Sequence, residues 1–147
     1  MAAGLSLPTE NIDLFRAKLN RQQTLTEKEL TPVTWIDVPM PVSYASKKLV
    51  EQLRVLEPFG KGNEKPVFAD RKLTVRSANM IGKNKNVLKM QLEDTQGHVV
   101  DAIQFKVEEE DMPLRGKEIS IVYYPDINEF RGNQTLQFIV QEWCYTT

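Results

Sequence analysis

The stretch Leu56-Glu57-Pro58-Phe59-Gly60-Lys61-Gly62-Asn63-Glu64-Lys65-Pro66-Val67-Phe68 divides the chain into two kinds of pattern. Apolar residues before it recur at helical spacing, and those after it alternate. Pro58 and Pro66 stiffen this connector, while Gly60 and Gly62 give it turns. A rigid joint with a mainly helical pattern before it and a β pattern after it points to a helical lead-in followed by a sheet.

Upstream, residues 8–21 read as a helix. Pro8 suits the first turn, and Glu10 and Asp13 sit near the positive end of the dipole. Ile12, Phe15 and Leu19, widened by Leu14, form a stripe suited to packing on a neighbour. Thr26-Glu27-Lys28-Glu29 has the spacing of a capping box. Val33–Val38 alternates like a strand that Pro39 and Pro41 close. Ser43 is positioned to cap a second helix over 44–57, with Leu49, Val50, Leu53 and Leu56 inward and Pro58 as the stop.

Downstream, five strands are expected within about 75 residues. Leu73 and Val75 face inward in the first, and Leu88, Met90 and Leu92 in the second. Residues 99–105 form the third, with its faces ambiguous because Val99 and Val100 are both apolar. Ile119, Ile121 and Tyr123 mark the fourth, and Leu136, Phe138 and Val140 the fifth. The longest break, Glu108–Pro113, follows the third strand. That spacing fits a five-stranded OB-fold barrel. The fold class is therefore mainly β with α (α+β), a barrel preceded by a helix-strand-helix segment. The expected division is 1–57 and 58–147.

OB-folds bind through the face of their second and third strands and the loops 1–2 and 4–5. Here those loops are Gly82-Lys83-Asn84-Lys85-Asn86 and Asn128–Asn133. Charge agrees with a polyanion site. Lys61 through Lys89 contains eight basic and two acidic residues, a net +6, in a chain of net −1. Lys83 and Lys85 suit phosphates, with Lys72, Arg76 and Lys89 expected on one outward face beside them and Lys61 as a further cation. A solvated hairpin tip is the alternative for the loop. Phe130 can stack on a base beside Arg131 and Asn133, or fold back and plug the barrel end. Tyr123 and Tyr124 offer at most one exposed ring, since alternation turns one inward.

Several classes of function are disfavoured. The single Cys144 leaves no internal disulfide, and the single His98 argues against a histidine-rich metal centre. Glu93, Asp94 and Asp101 are close in sequence but fit turn chemistry better than a metal site. No nucleophile–base set or phosphate-binding glycine loop is present. With no long apolar run and no signal-peptide pattern at the start, a cytoplasmic setting without a membrane is expected.

Several segments resemble the RecJ family of single-stranded-DNA-specific exonucleases, which belongs to the DHH class. Met1-Ala2-Ala3-Gly4-Leu5-Ser6-Leu7-Pro8 is similar to the family's AAGLSL-like stretch. Leu56–Asn63 with Pro66 and Phe68 is similar to its LEPFGxGNPxPxF signature, although Glu64 stands where the family has Pro. Asp101-Ala102-Ile103 and Ile127–Gly132 with Leu136-Gln137 match further segments. The resemblance implies a fragment of a Mg²⁺- or Mn²⁺-dependent 5′-to-3′ exonuclease of DNA repair and recombination. The DHH and GGH motifs are absent here, so the piece itself has no expected catalytic or metal-binding residue. Its implied partners are single-stranded DNA and the rest of the nuclease polypeptide, with residues 1–57 closing the DHH-associated domain. The residues alone leave an RNA-binding OB module or a protein-interaction scaffold open.

Overall fold

A computed structural model describes residues 4–146. Met1, Ala2 and Ala3 of the opening segment, and Thr147, lie outside the described residues. The chain divides into two compact units, Met1–Thr34 and Trp35–Thr147.

In the first unit, a 3-10 turn at Thr9–Asn11 leads into helix α1 (Ile12–Gln22), followed by α2 (Glu27–Leu30). The capping box forms as its spacing requires. The Thr26 N–H donates to Glu29 Oε2 at 2.9 Å, and the Glu29 N–H returns to Thr26 Oγ1 at 3.4 Å. The bond from the Thr26 backbone holds the Glu29 carboxyl below its ordinary range. No residue of α1 is buried.

Two of the expected elements before the sheet differ in the structure. Residues 33–37 do not form a strand, and only β1 (Val38–Pro39) pairs, in parallel with Phe68 and Ala69. Asp37 fixes that contact from both ends. Its N–H donates to Val67 O at 2.9 Å, and its carboxylate accepts the Val67 N–H at 2.8 Å. Upstream of it, Trp35 stays 85 % exposed. The second helix starts later than Ser43 suggests. Ser43 lies in a 3-10 turn (Val42–Tyr44), because Val42 is buried and its N–H is held by Asp70 Oδ2 at 2.8 Å. Ser46 caps α3 (Lys47–Leu53) instead, and a 3-10 turn completes the run to Leu56. Val50 is buried and Leu49 and Leu53 pack on the core, whereas Leu56 faces solvent.

The remaining strands are β2 (Phe68–Ile81), β3 (Val87–Glu93), β4 (Val99–Phe105), β5 (Glu118–Phe130) and β6 (Asn133–Tyr145). Their order is β2-β3-β4-β6-β5, and β5 returns to pair with β2. All these pairs are antiparallel except β4–β6. The five strands thus close on themselves with OB-type connectivity. Closure removes the unpaired edges that an open sheet would carry. Leu73, Val75, Leu88, Met90, Leu92, Ile119, Ile121, Tyr123, Phe138 and Val140 fill the interior, as alternation requires. In β4 the ambiguity resolves with Val100 and Ala102 inward.

Two bulges interrupt β2. One lies between Asp70 and Leu73 against β5, the other between Val75 and Ser77 against β3. Each inserts a residue and resets which side chains face out. Inward positions therefore run 73, 75, then 78 and 80.

Candidate nucleic-acid interface

Cross-strand register defines the outward face of β2, β3 and β4. Ile81 pairs with Val87 and Val87 with Phe105, so these three form one row. Asn79, Lys89 and Ile103 form the next, and Ser77, Gln91 and Asp101 the third. Ile81 and Phe105 are 38 % and 54 % exposed, which leaves apolar and aromatic surface open at one end of the face.

Lysines surround that end. Lys83 and Lys85 project from the 82–86 turn, where Gly82 and Lys85 have φ of 87° and 47° and the Lys85 N–H closes on Gly82 O at 3.2 Å. Lys106 follows Phe105, with φ 60°, and the Val107 N–H ties this corner to Asn86 O at 3.2 Å. Lys89 is exposed on the neighbouring row. Aromatic surface beside point charges is the composition that grips single strands irrespective of sequence.

The other expected cations do not join this cluster. Arg76 is the inserted residue of the second bulge. Its guanidinium is bonded to Glu93, Nη2 to Oε1 at 3.1 Å and Nε to Oε2 at 2.5 Å. Lys72 sits in the first half of β2, which pairs with β5 rather than β3, so no cross-strand row links it to Lys89. Lys61 is exposed in the turn closed by Gly60 and Asn63.

Phe130 is 64 % exposed and does not plug the ring. It pairs with Asn133 across a two-residue turn in which Arg131 and Gly132 have φ of 51° and 78°. Both turn residues need positive φ, which explains Gly132. The Arg131 guanidinium lies 5.1 Å from the Phe130 ring centre. Parallel pairing of Ala102 with Phe138 and Ile103 with Ile139 sets this hairpin toward the start of β4, whereas the 82–86 turn meets its end. The two loops therefore flank the face from opposite ends.

Neither Tyr123 nor Tyr124 is available for stacking. Tyr123 points inward as alternation requires. Tyr124 pairs with Ile139, on the side opposite to Tyr123, but the connector covers it. Phe59 meets its ring edge-on at 6.4 Å, and Lys65 Nζ lies 4.0 Å from its centre. Burial, and then the carboxylates of Asp126 and Glu57, push the Tyr124 phenol above its ordinary range.

Comparison with known proteins decides the family. The model of the RecJ OB domain matches residues 36–142. The chain belongs to the RecJ OB domain family. The single-stranded-DNA-specific exonuclease RecJ of Haemophilus influenzae is 36 % identical over 144 residues, covering 95 % of this chain and 25 % of that protein. The RecJ of Bacillus subtilis is 30 % identical over 145 residues, 97 % of this chain and 18 % of that protein. The chain thus spans a quarter or less of these two relatives. A crystal structure of RecJ in complex with Mn²⁺ from Thermus thermophilus shares the fold, with a TM-score of 0.66 at 16 % identity over 97 % of this chain and 20 % of that one. Among the described residues, no group of three or more His, Cys, Asp or Glu is placed to hold a metal ion. No described helix is long and apolar enough to cross a membrane.

Phe105 and Lys106 are absent from the residues that sequence reasoning assigns to the RecJ OB site. The signal for Phe105 is its parity with Ile103, which becomes readable only once Ala102 is known to face inward. Lys106 lies just past the strand, where alternation carries no information.

Proposed function

We propose that this chain is the single-stranded-DNA-holding part of a RecJ-type exonuclease and that the outward face of β2–β3–β4 is its grip. The observation that carries the reading is the Ile81–Val87–Phe105 row, bordered by Lys83, Lys85, Lys89 and Lys106. A nuclease that digests arbitrary sequence needs affinity without register. Lysine charges and an aromatic face supply it, because every base has a π-face and every phosphate the same charge. Hydrogen bonds to base edges would instead pin the strand at preferred sequences.

The chemistry belongs elsewhere in the parent protein, where Mg²⁺ or Mn²⁺ would serve the 5′-to-3′ cleavage. Residues up to Glu57 connect the OB part to the preceding nuclease domain. Phe130, Arg131 and Asn133 extend the path at the far end of the face, and Lys61 and Lys72 contribute only general positive potential.

The test is fluorescence anisotropy of a labelled 15-nucleotide single strand at two salt concentrations, with duplex and RNA competitors. Salt-sensitive binding that single-stranded DNA competes best is the expected result. Absence of binding at low salt would refute the reading for this chain.

A further inference from the structure

We propose a second phosphodiester-binding subsite, formed by Arg76, Arg115, Ser77 and Gln91, which takes a further phosphate of the same strand. The proposal rests on the single-strand reading above. A groove of about 440 Å³ is lined by Arg76, Ser77, Gln91, Val99 and Arg115. A second, of about 260 Å³, shares Ser77 and Arg115 and continues past Asn79 and Leu114.

The two arginines reach the groove by different routes. The register slip between Val75 and Ser77 makes Arg76 the extra residue of a bulge, a device that re-aims a side chain. Glu93 holds its Nε and Nη2, which fixes the guanidinium plane and leaves Nη1 to donate elsewhere. Arg115 comes from the turn before β5. That turn is locked to β2 by the Gly116 N–H on Val75 O at 2.8 Å and the Val75 N–H on Lys117 O at 3.0 Å. Arg115 forms no ion pair among the described residues, so its charge is uncompensated there.

The remaining lining selects a nucleotide over a bare anion. Ser77 and Gln91 are cross-strand partners and add a hydroxyl and an amide. Val99 and Leu114 are 51 % and 62 % exposed and offer apolar surface to a sugar or base. Glu93 is paired with Arg76, and Gln91 Nε2 donates one N–H to Asp101 at 3.5 Å, which leaves its second N–H for a ligand. Ser77 lies four residues along β2 from Ile81, about 13 Å in a strand. A strand anchored at Lys83 and Lys85 therefore reaches Arg115 within a few nucleotides by running along β2.

The experiment is an NMR titration of the ¹⁵N-labelled chain with a 15-nucleotide thymidine oligomer, paired with binding by Arg115→Ala at several salt concentrations. The expected result is amide shifts at Ser77, Gln91 and Arg115 together with those of residues 82–89. The slope of log K against log salt should flatten by about 0.7 in Arg115→Ala, additively with Lys83→Ala/Lys85→Ala. Shifts confined to 82–89, with an unchanged slope in Arg115→Ala, would overturn the subsite and leave the grip standing. No shift anywhere would overturn both. Inorganic phosphate moving the groove amides while the oligomer leaves them still would also overturn it.

Discussion

The Tyr123 hydroxyl donates to the main-chain oxygen of Met40 at 2.8 Å, joining the interior of the strand ring to a segment 83 residues earlier. Asp70 makes the adjacent tie, accepting the Val42 N–H. Burial, and then the Asp70 charge, push the Tyr123 phenol far above its ordinary range, so the group that donates is neutral throughout the physiological range. Tyr123→Phe removes the donor and leaves Met40 O buried without it. The expected loss is about 1 kcal/mol in denaturant unfolding, with an unchanged m-value. A variant as stable as the parent would mean that water replaces the hydroxyl.

The connector makes a second tie, over Tyr124. Because burial is the first cause of its raised pKa, uncovering the ring should lower it. Phe59→Ala is expected to bring the Tyr124 titration down toward about 10, followed by ultraviolet absorbance of tyrosinate or by NMR. The sign for stability follows. A phenol whose folded pKa is raised contributes stability below about pH 10, and this is lost as the pH rises through the folded value. Phe59→Ala should therefore flatten the alkaline fall of stability. A Tyr124 titration that does not move would show that other residues of the connector keep it covered.

Lys83 and Lys85 stand on a turn that buries nothing of its own. Replacing both with alanine is expected to leave unfolding within about 0.5 kcal/mol of the parent. In the same variant, the salt dependence of single-strand binding should flatten by about 0.7 for each phosphate that a lysine had neutralised. Titrations at four or more salt concentrations measure it. An unchanged slope would remove the turn from the interface.

The strands and their inward faces were legible because closure leaves each strand one apolar side, and period-two spacing records it. Leu88, Met90 and Leu92 needed nothing more. Three features were not legible, each for a physical reason. Residues 33–37 alternate but form no strand, and alternation does not report pairing. Ser43 suits a helix cap, but Val42, buried and bonded to Asp70 from a strand 28 residues away, holds Ser43 in a 3-10 turn and moves the cap to Ser46. The cations of β2 looked like one row because a bulge is silent in the pattern. The two bulges separate Lys72 and Arg76 from Lys89 and hand Arg76 to Glu93. The candidate site was thus readable in its turn, Lys83 and Lys85, and unreadable in its platform, which depends on the register of β4.

Phe105 tests that platform. Its ring is more than half exposed, and it stands in one row with Val87 and Ile81 beside the lysine turn. If bases stack on it, Phe105→Ala should weaken single-strand binding by roughly 1–3 kcal/mol, or about 5- to 150-fold. Phe105→Leu, which keeps apolar area but removes the π-face, should lose part of that affinity. Unfolding is expected to lose about 1–2 kcal/mol in Phe105→Ala, since nearly half of the residue is buried, and less in Phe105→Leu, so binding is compared under conditions where each variant is folded. The salt slope should stay at the parent value, because every phosphate keeps its cation. That combination, weaker binding at constant slope, separates stacking from charge. A flattened slope would mean that the substitution had displaced Lys106 or the 82–86 turn, and unchanged affinity would move the base path off this row.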